Sequence, residues 1–306
     1  MMIRNFLFHR VSNESDPLWP PMQPGHFDRI IKYLTSHFEV VPLEAWLNDP
    51  GAFGKKGRKP ASVLFDDGYK DNIQYAAPIL HKYKCPASFY VVTGCIDNDI
   101  PTWTYIVDNA FQKTKMELIT LDLDFVPGEF RTLHFSASGK ELIRKVKPWM
   151  KSLSNEKRLK VLELVTSQCS DVPPPSGKMM SWTEVKQLAT DGFIIGSHSH
   201  THPMLASLSS EDEIRNELLI SYQKTEAGTG MPPLSISYPI GSYDERVMRI
   251  AVETGYKYGL AVRQQFYRTY PNDIYAIPRV ELYQESWLKT ISRVSGLYSF
   301  VKRIWS

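Results

Sequence analysis

The sequence predicts an α/β fold of the (β/α)-barrel kind, and three observations carry that expectation. Short apolar runs alternate with segments of helical period along most of the 306 residues, the pattern of parallel strands joined by crossover helices. Two of these runs stop abruptly on ligand-type side chains. One is Ser62-Val63-Leu64-Phe65, followed by Asp66-Asp67-Gly68; the other is Gly192-Phe193-Ile194-Ile195-Gly196-Ser197, followed by His198-Ser199-His200-Thr201-His202-Pro203. Chemistry-bearing residues gathered at strand carboxyl ends are what a barrel requires, since the strand ends and the loops after them build its site. An Asp-Asp-Gly alone reads as a turn, because both residues favour turns for backbone reasons. The second, His-rich strand end makes the functional reading the stronger one.

Composition bounds the alternatives. With 42% hydrophobic and 23% charged residues the chain is an ordinary globular protein, long enough for one large α/β domain or two smaller ones. A net charge of +3 is too mild, and its basic residues too scattered, for a nucleic-acid partner. The apolar residues among the first ten are too few for a secretory core or a membrane span. Cys85, Cys95 and Cys169 are odd in number and lack Cys-x-x-Cys spacing, which argues against a disulfide framework or a zinc knuckle. Both features lead us to expect a cytoplasmic protein.

Taken in order, residues 3–8 form an apolar strand that delivers His9, and a polar, Pro-rich loop follows over 12–24. Phe27, Ile30, Ile31, Tyr33 and Leu34 recur at helical spacing over 25–37, and 38–42 is a short strand before a helical 43–47. A Gly/Lys/Pro loop over 51–60 leads into the Asp-Asp strand; a helix over 73–83 and, past Pro86, a strand over 87–92 continue the alternation. From 97 to 179 the alternation weakens. Here 103–111 reads as a helix, 117–125 and 131–135 as a hairpin turned by Val126-Pro127-Gly128-Glu129, and 140–153 and 155–168 as charged amphipathic helices. This stretch, ending in Pro173-Pro174-Pro175-Ser176-Gly177, reads as an insertion between barrel strands. Ser181 with Glu184 forms a capping box that opens the next helix. A helix to about 226, a strand over 234–238, a helix over 245–254, a strand over 258–262 and a last segment over 277–282 complete the units. From Trp287 to Trp305 apolar residues again fall at helical spacing, beside Lys289, Arg293, Lys302 and Arg303. That is either a terminal helix packed on the barrel or one lying on a membrane surface.

Phe65-Asp66-Asp67-Gly68 and His198-Ser199-His200-Thr201-His202-Pro203, in this order, resemble the first two motifs of the polysaccharide deacetylases, the family-four carbohydrate esterases of NodB-homology type. Tyr238-Pro239-Ile240-Gly241-Ser242-Tyr243-Asp244 looks like the third. His9 in an N-terminal strand resembles the circularly permuted, biofilm-polysaccharide members. The resemblance runs to about residue 282, weakly over 100–178. It implies a distorted (β/α)7 barrel over 1–286 with an α+β insertion at about 100–178, followed by a C-terminal amphipathic helix over 287–306. It also implies metal-dependent removal of the N-acetyl group from an amino sugar or polysaccharide, in the synthesis or modification of a bacterial surface polysaccharide.

Residue by residue, two His and one Asp make a three-donor, open site of the zinc type, with Asp67, His198 and His202 as the ligands by the family pattern. Zinc suits these donors, and iron, cobalt and nickel are compatible with them. His200, between the ligands, is expected to point elsewhere. Asp66 is then free to act as general base, and His9 is the candidate general acid, since imidazole titrates near neutral pH. The third motif often carries an Arg that orients the base; this chain has Ser237 there, and Arg279 is the expected substitute. By resemblance, the Tyr238 backbone N–H would hold the oxyanion and Pro239 would face substrate, while Trp103 could line a sugar subsite. Two other readings stay open: N-deformylation of a lipid-linked amino sugar, or a catalytically silent carbohydrate-binding barrel. A terminal helix on the membrane surface would set a cytoplasmic deacetylase against a lipid-linked sugar at the inner face of the membrane, as a peripheral contact.

Overall fold

A computed structural model of the chain describes residues 3–54, 57–135, 140–263 and 273–297. Its strands, in chain order, are β1 (Arg4–Phe8), β2 (Phe38–Val40), β3 (Lys59–Phe65), β4 (Ser88–Val91), β5 (Leu118–Thr120), β6 (Thr132–His134), β7 (Ile194–Ser197), β8 (Ser235–Ser237), β9 (Tyr258–Val262) and β10 (Ile277–Glu281). Seven of them close a parallel ring in the order β1-β10-β9-β8-β7-β4-β3, sealed by the pairing of β3 with β1; β2 pairs on β3 outside the ring. The barrel is distorted because the staves overlap unequally. β1 and β3 stay in register from Arg4↔Ala61 to Phe8↔Phe65, whereas β7 and β8 share only Ser197↔Ile236.

Side chains alternate across each strand, so one set packs on the helices and the other fills the barrel. Phe6, Phe8, Val63, Phe65, Phe89 and Val91 join helix residues such as Phe27, Ile31 and Leu80 in the outer core. Leu7, Leu64, Tyr90, Leu260 and Ile277 form the inner one. The helix Leu43–Asn48 adds Leu43 and Trp46 to that inner core, and its Glu44 accepts hydrogen bonds from Ser235 Oγ (2.6 Å), Tyr90 OH (3.0 Å) and Ser88 Oγ (3.1 Å). Ser88 and Ser235 begin their strands, so this plug closes the amino end of the barrel. The carboxyl end is left for chemistry.

The capping box of Ser181 and Glu184 forms as expected, and Ser210 with Glu213 makes another at the start of the helix Glu211–Thr229. The helix after the Asp-Asp strand begins as a wide π-type turn, Asn72–Ala76, before Ala77–Lys82. Pro78 has no N–H to return to the preceding turn, which accounts for the widening. The hairpin forms, with β5 antiparallel to β6, but its strands are shorter than expected because Gly128–Arg131 winds into a helical turn.

The segment between β4 and β7 builds its own apolar cluster, including Trp103, Phe111, Ile119, Val146 and Val161. Leu18 of the loop after β1 and Ile240 of the turn after β8 pack against it. It therefore lies against loops at the carboxyl mouth of the barrel. Trp103 belongs to this cluster, is 6% exposed, and lies with its ring 5.1 Å from the Arg158 guanidinium. That corrects its expected place at a sugar subsite: a large apolar ring contributes more when buried in the insertion's core.

The terminal helix spans Trp287–Ser295 and ends on Gly296 at a φ of 86°. Trp287 stacks under Arg29 and meets Tyr33 and His26 of the helix Pro24–His37, while Val294 is buried. Trp287 and Val294 are thus engaged within the chain, while Leu288 and Leu297 stay exposed. The rest of the amphipathic run, 298–306, lies outside the described residues. No described helix is long and apolar enough to cross a membrane.

Candidate active site

Asp66, His198 and Tyr238 each sit just past the end of a barrel strand, with the backbone still tied into the ladder. Asp66 N–H donates to Phe8 C=O (3.1 Å), His198 N–H to Val91 C=O (2.9 Å), and Tyr238 N–H to Leu260 C=O (3.1 Å). The side chains are thereby projected from a rigid frame into one hollow. Backbone geometry completes the aim. Asp67 (φ 77°), Ser199 (φ 65°), His202 (φ 59°) and Ile240 (φ 58°) all adopt the left-handed conformation that non-glycine residues avoid. Strain of this kind persists where the surrounding structure holds it, and it clusters at functional sites.

The hollow contains two neighbouring carboxylates with different partners. Asp67 Oδ1 lies 3.4 Å from His198 Nε2 and 3.4 Å from His202 Nε2, and all three residues are buried. Asp66, 1% exposed, takes a hydrogen bond from Arg279 Nη1 on Oδ1 (2.8 Å) and one from Ser237 Oγ on Oδ2 (3.0 Å). Arg279 is itself fully buried in the middle of β10 and is braced by Ala261 C=O (3.3 Å). Burial works to raise the Asp66 pKa, but the charges of Arg279, His198 and His9 together hold it below the ordinary carboxylate range. Asp67 is likewise depressed against its burial by its contact with His198 and the charges of His202 and His9. His198 is raised, because Asp66 and Asp67 outweigh burial, whereas burial lowers His202 to about 3.

Whether Asp67, His198 and His202 fit a metal can be judged from these contacts. Bonds of about 2.0–2.1 Å at tetrahedral angles separate adjacent ligand atoms by about 3.4 Å, which matches the distance from Asp67 Oδ1 to each imidazole Nε2, and all three donors lie within 4.8 Å of one another. His198 gives Nδ1 to Ser237 C=O (2.7 Å), which fixes the tautomer and turns the Nε2 lone pair toward Asp67, the arrangement usual for a ligating imidazole. The two buried carboxylates face one buried guanidinium, so one negative charge is left for a bound cation or a proton to offset. The donor set fits a divalent ion. His200, as expected, points away, with Nδ1 2.9 Å from Thr93 Oγ1.

His9, at the end of β1, has Nδ1 3.3 Å from Glu281 Oε1 and its ring against Trp19. Pro239 is buried in the turn after β8, two residues past Ser237. Tyr238 corrects an expectation: its N–H is already committed to Leu260 C=O, so it has no free donor for an oxyanion, and its side chain is buried against Tyr243. Three residues were missed in the sequence. Ser237 serves both the base and a ligand, and its position in the third motif was the available signal. Glu281 lies two residues past Arg279 on the same face of β10. Glu217, on the helix Glu211–Thr229, accepts from the N–H groups of His200 (2.9 Å) and Thr201 (2.8 Å) and so holds the ligand loop; no local signal marks it.

Fold and site together define a parallel (β/α) barrel with a carboxylate–imidazole cradle at its carboxyl mouth. Residues 53–259 match the polysaccharide deacetylase family model, and the chain belongs to that family. A 72-residue stretch is 33% identical to the peptidoglycan-N-acetylglucosamine deacetylase of Bacillus cereus, covering 24% of this chain and 26% of that protein, about a quarter of the relative's length. Among solved structures, the Streptococcus pyogenes deacetylase PplD in complex with acetate superposes with a TM-score of 0.64 at 16% identity, over 97% of this chain and 98% of the other. IcaB from Ammonifex degensii does so with 0.60 at 15% identity, over 95% of each. These last likenesses speak for the fold.

Proposed function

We propose that the protein is a metal-dependent carbohydrate N-deacetylase that hydrolyses the acetamide of an amino sugar during synthesis or modification of a bacterial surface polysaccharide. One observation carries this reading: adjacent carboxylates with opposite commitments. Asp67 faces two imidazole Nε2 atoms, while Asp66 is locked between Arg279 and Ser237. The first is built to hold a cation, the second to remain an ionised, aimed base.

A divalent metal held by Asp67, His198 and His202, with zinc best suited to these donors, would supply Lewis-acid polarisation and an acidified water. Asp66 takes the proton from the water that attacks the acetamide carbon. Arg279 and Ser237 keep its carboxylate charged and oriented through that step. His9 gives a proton to the nitrogen as the C–N bond breaks, with Glu281 holding its Nδ1 side. A free amine and acetate result; acetate is the ligand held by the Streptococcus pyogenes relative.

The test is acetate release from N-acetylglucosamine oligomers by zinc-loaded protein. Asp66→Asn with unchanged metal content should lower kcat by about 10²–10⁴-fold. Preferential release of formate from N-formyl amino sugars would favour the deformylase reading. Sugar binding with no acyl release would favour the silent barrel.

A further inference from the structure

A cavity of about 290 Å³ lies apart from the metal-ligand cluster, where the loop after β1 meets the insertion. The helix Trp103–Lys113 shows two faces around it. Trp103, Val107, Ala110 and Phe111 pack into the insertion's core. Tyr105, Asn109, Gln112 and Lys113, at i, i+4, i+7 and i+8, line the cavity instead, opposite Glu14, Ser15, Asp16 and Lys178. A helix needs only its core face to fold onto the barrel. On this second face Gln112 Nε2 donates to Asp16 Oδ1 (2.9 Å) and ties the helix to the loop after β1, whereas Tyr105 and Asn109 turn polar groups to the cavity with no such partner.

Asn109 is the telling residue. It is 6% exposed and lines the cavity, and its side-chain amide makes no hydrogen bond to any described residue. The Tyr105 hydroxyl, on the same face, has no described partner either. The volume sits at the small end of ligand pockets, roughly that of one sugar ring. A wall of rings runs from it back to the reaction site: Tyr105 to Tyr69 (5.9 Å between centroids), Tyr69 to Trp19 (5.6 Å) and Trp19 to His9 (5.7 Å). Arg10, under three of these rings and paired with Asp71 at 3.1 Å, fixes the wall in place.

We propose that this cavity is a distal saccharide subsite, which binds a sugar unit of the same chain whose acetamide is cleaved at the Asp66 site. Asn109 meets its hydroxyl or acetamido groups, the Tyr105 hydroxyl adds a further hydrogen bond, and Trp19, the accessible ring between the cavity and His9, guides the intervening units. Substrate length, more than the identity of the reacting unit, is then read here. This rests on the deacetylase reading above, and the test separates the two.

The probes are chitin-derived N-acetylglucosamine oligomers of two and six units, and the variants are Asn109→Ala and Tyr105→Phe, which keep the helix and the ring packing. For the hexamer, KM should rise by about 3- to 10-fold in each, from the loss of one hydrogen bond, with kcat unchanged; for the dimer neither should move. Equal effects on dimer and hexamer, or none on the hexamer, overturn the subsite. If the wild type releases no acetate, the deacetylase reading fails, and calorimetric binding decides the subsite alone. Hexamer bound more tightly than dimer, with the difference lost in Asn109→Ala, supports it; equal binding of the two, or none, overturns it.

Discussion

Replacing Arg279 by Met tests the base assignment most directly. The guanidinium is fully buried, 2.8 Å from Asp66 Oδ1, and touches neither Asp67 nor the imidazoles. Removing one member of a buried ion pair costs about 3–5 kcal/mol, because the remaining charge is left in a poorly solvating interior. The sign with pH follows from the depressed carboxylate of the wild type. Its stabilising contribution is present above the unfolded Asp value of about 3.9 and is lost as pH falls through the lower folded value. In the variant, burial acts without the opposing cation, so the Asp66 pKa rises and the folded state loses stability as pH climbs from about 3.9 toward neutrality. The melting temperatures of the two proteins should therefore be close near pH 3 and about 6–10 °C apart at pH 7, at roughly 2 °C per kcal/mol. With the base partly protonated, kcat/KM at pH 7 should fall on the order of 10²-fold, and its acid limb should move to higher pH. Elemental analysis should find bound metal unchanged. A melting gap that does not depend on pH, or wild-type kcat/KM at pH 7, would refute the reasoning.

Further outcomes are expected at other positions. Asp67→Ala and His198→Ala should each lose the stoichiometric metal found in wild type by elemental analysis, while keeping a cooperative thermal transition. Ser237→Ala removes the bond to Asp66 Oδ2 but keeps the carbonyl that orients His198, so kcat should drop about 10-fold with zinc affinity intact, measured by chelator competition. Glu217→Gln loosens the ligand loop, and zinc affinity in the same assay should weaken by about 10–100-fold. Gly196→Ala would drive a methyl group into the Tyr90 ring inside the barrel, costing about 1–3 kcal/mol in a denaturant titration.

The barrel and its working end were legible because both are written in local pattern. An apolar run that halts on Asp66-Asp67 or on His198 announces a strand and the side chains it delivers, whatever surrounds it. Trp103 shows where such reading fails: an aromatic in an insertion can face sugar or core, and only packing against Arg158 and its neighbours decides. Tyr238 failed for a related reason, since whether an N–H is free depends on the strand beside it.

The sequence by itself determined the alternation of strand and helix and the ligand-type residues at strand ends. Pattern is local, and these properties are carried by neighbours in the chain. Tertiary structure alone decided that Arg279 reaches Asp66 across 213 positions, that Ser237 joins base to ligand, that Glu217 holds the His loop, and that the insertion lies along the mouth with an unpaired Asn109 turned to a cavity. Those are contacts between distant segments, fixed by how the ring closes and not by any residue's own neighbours.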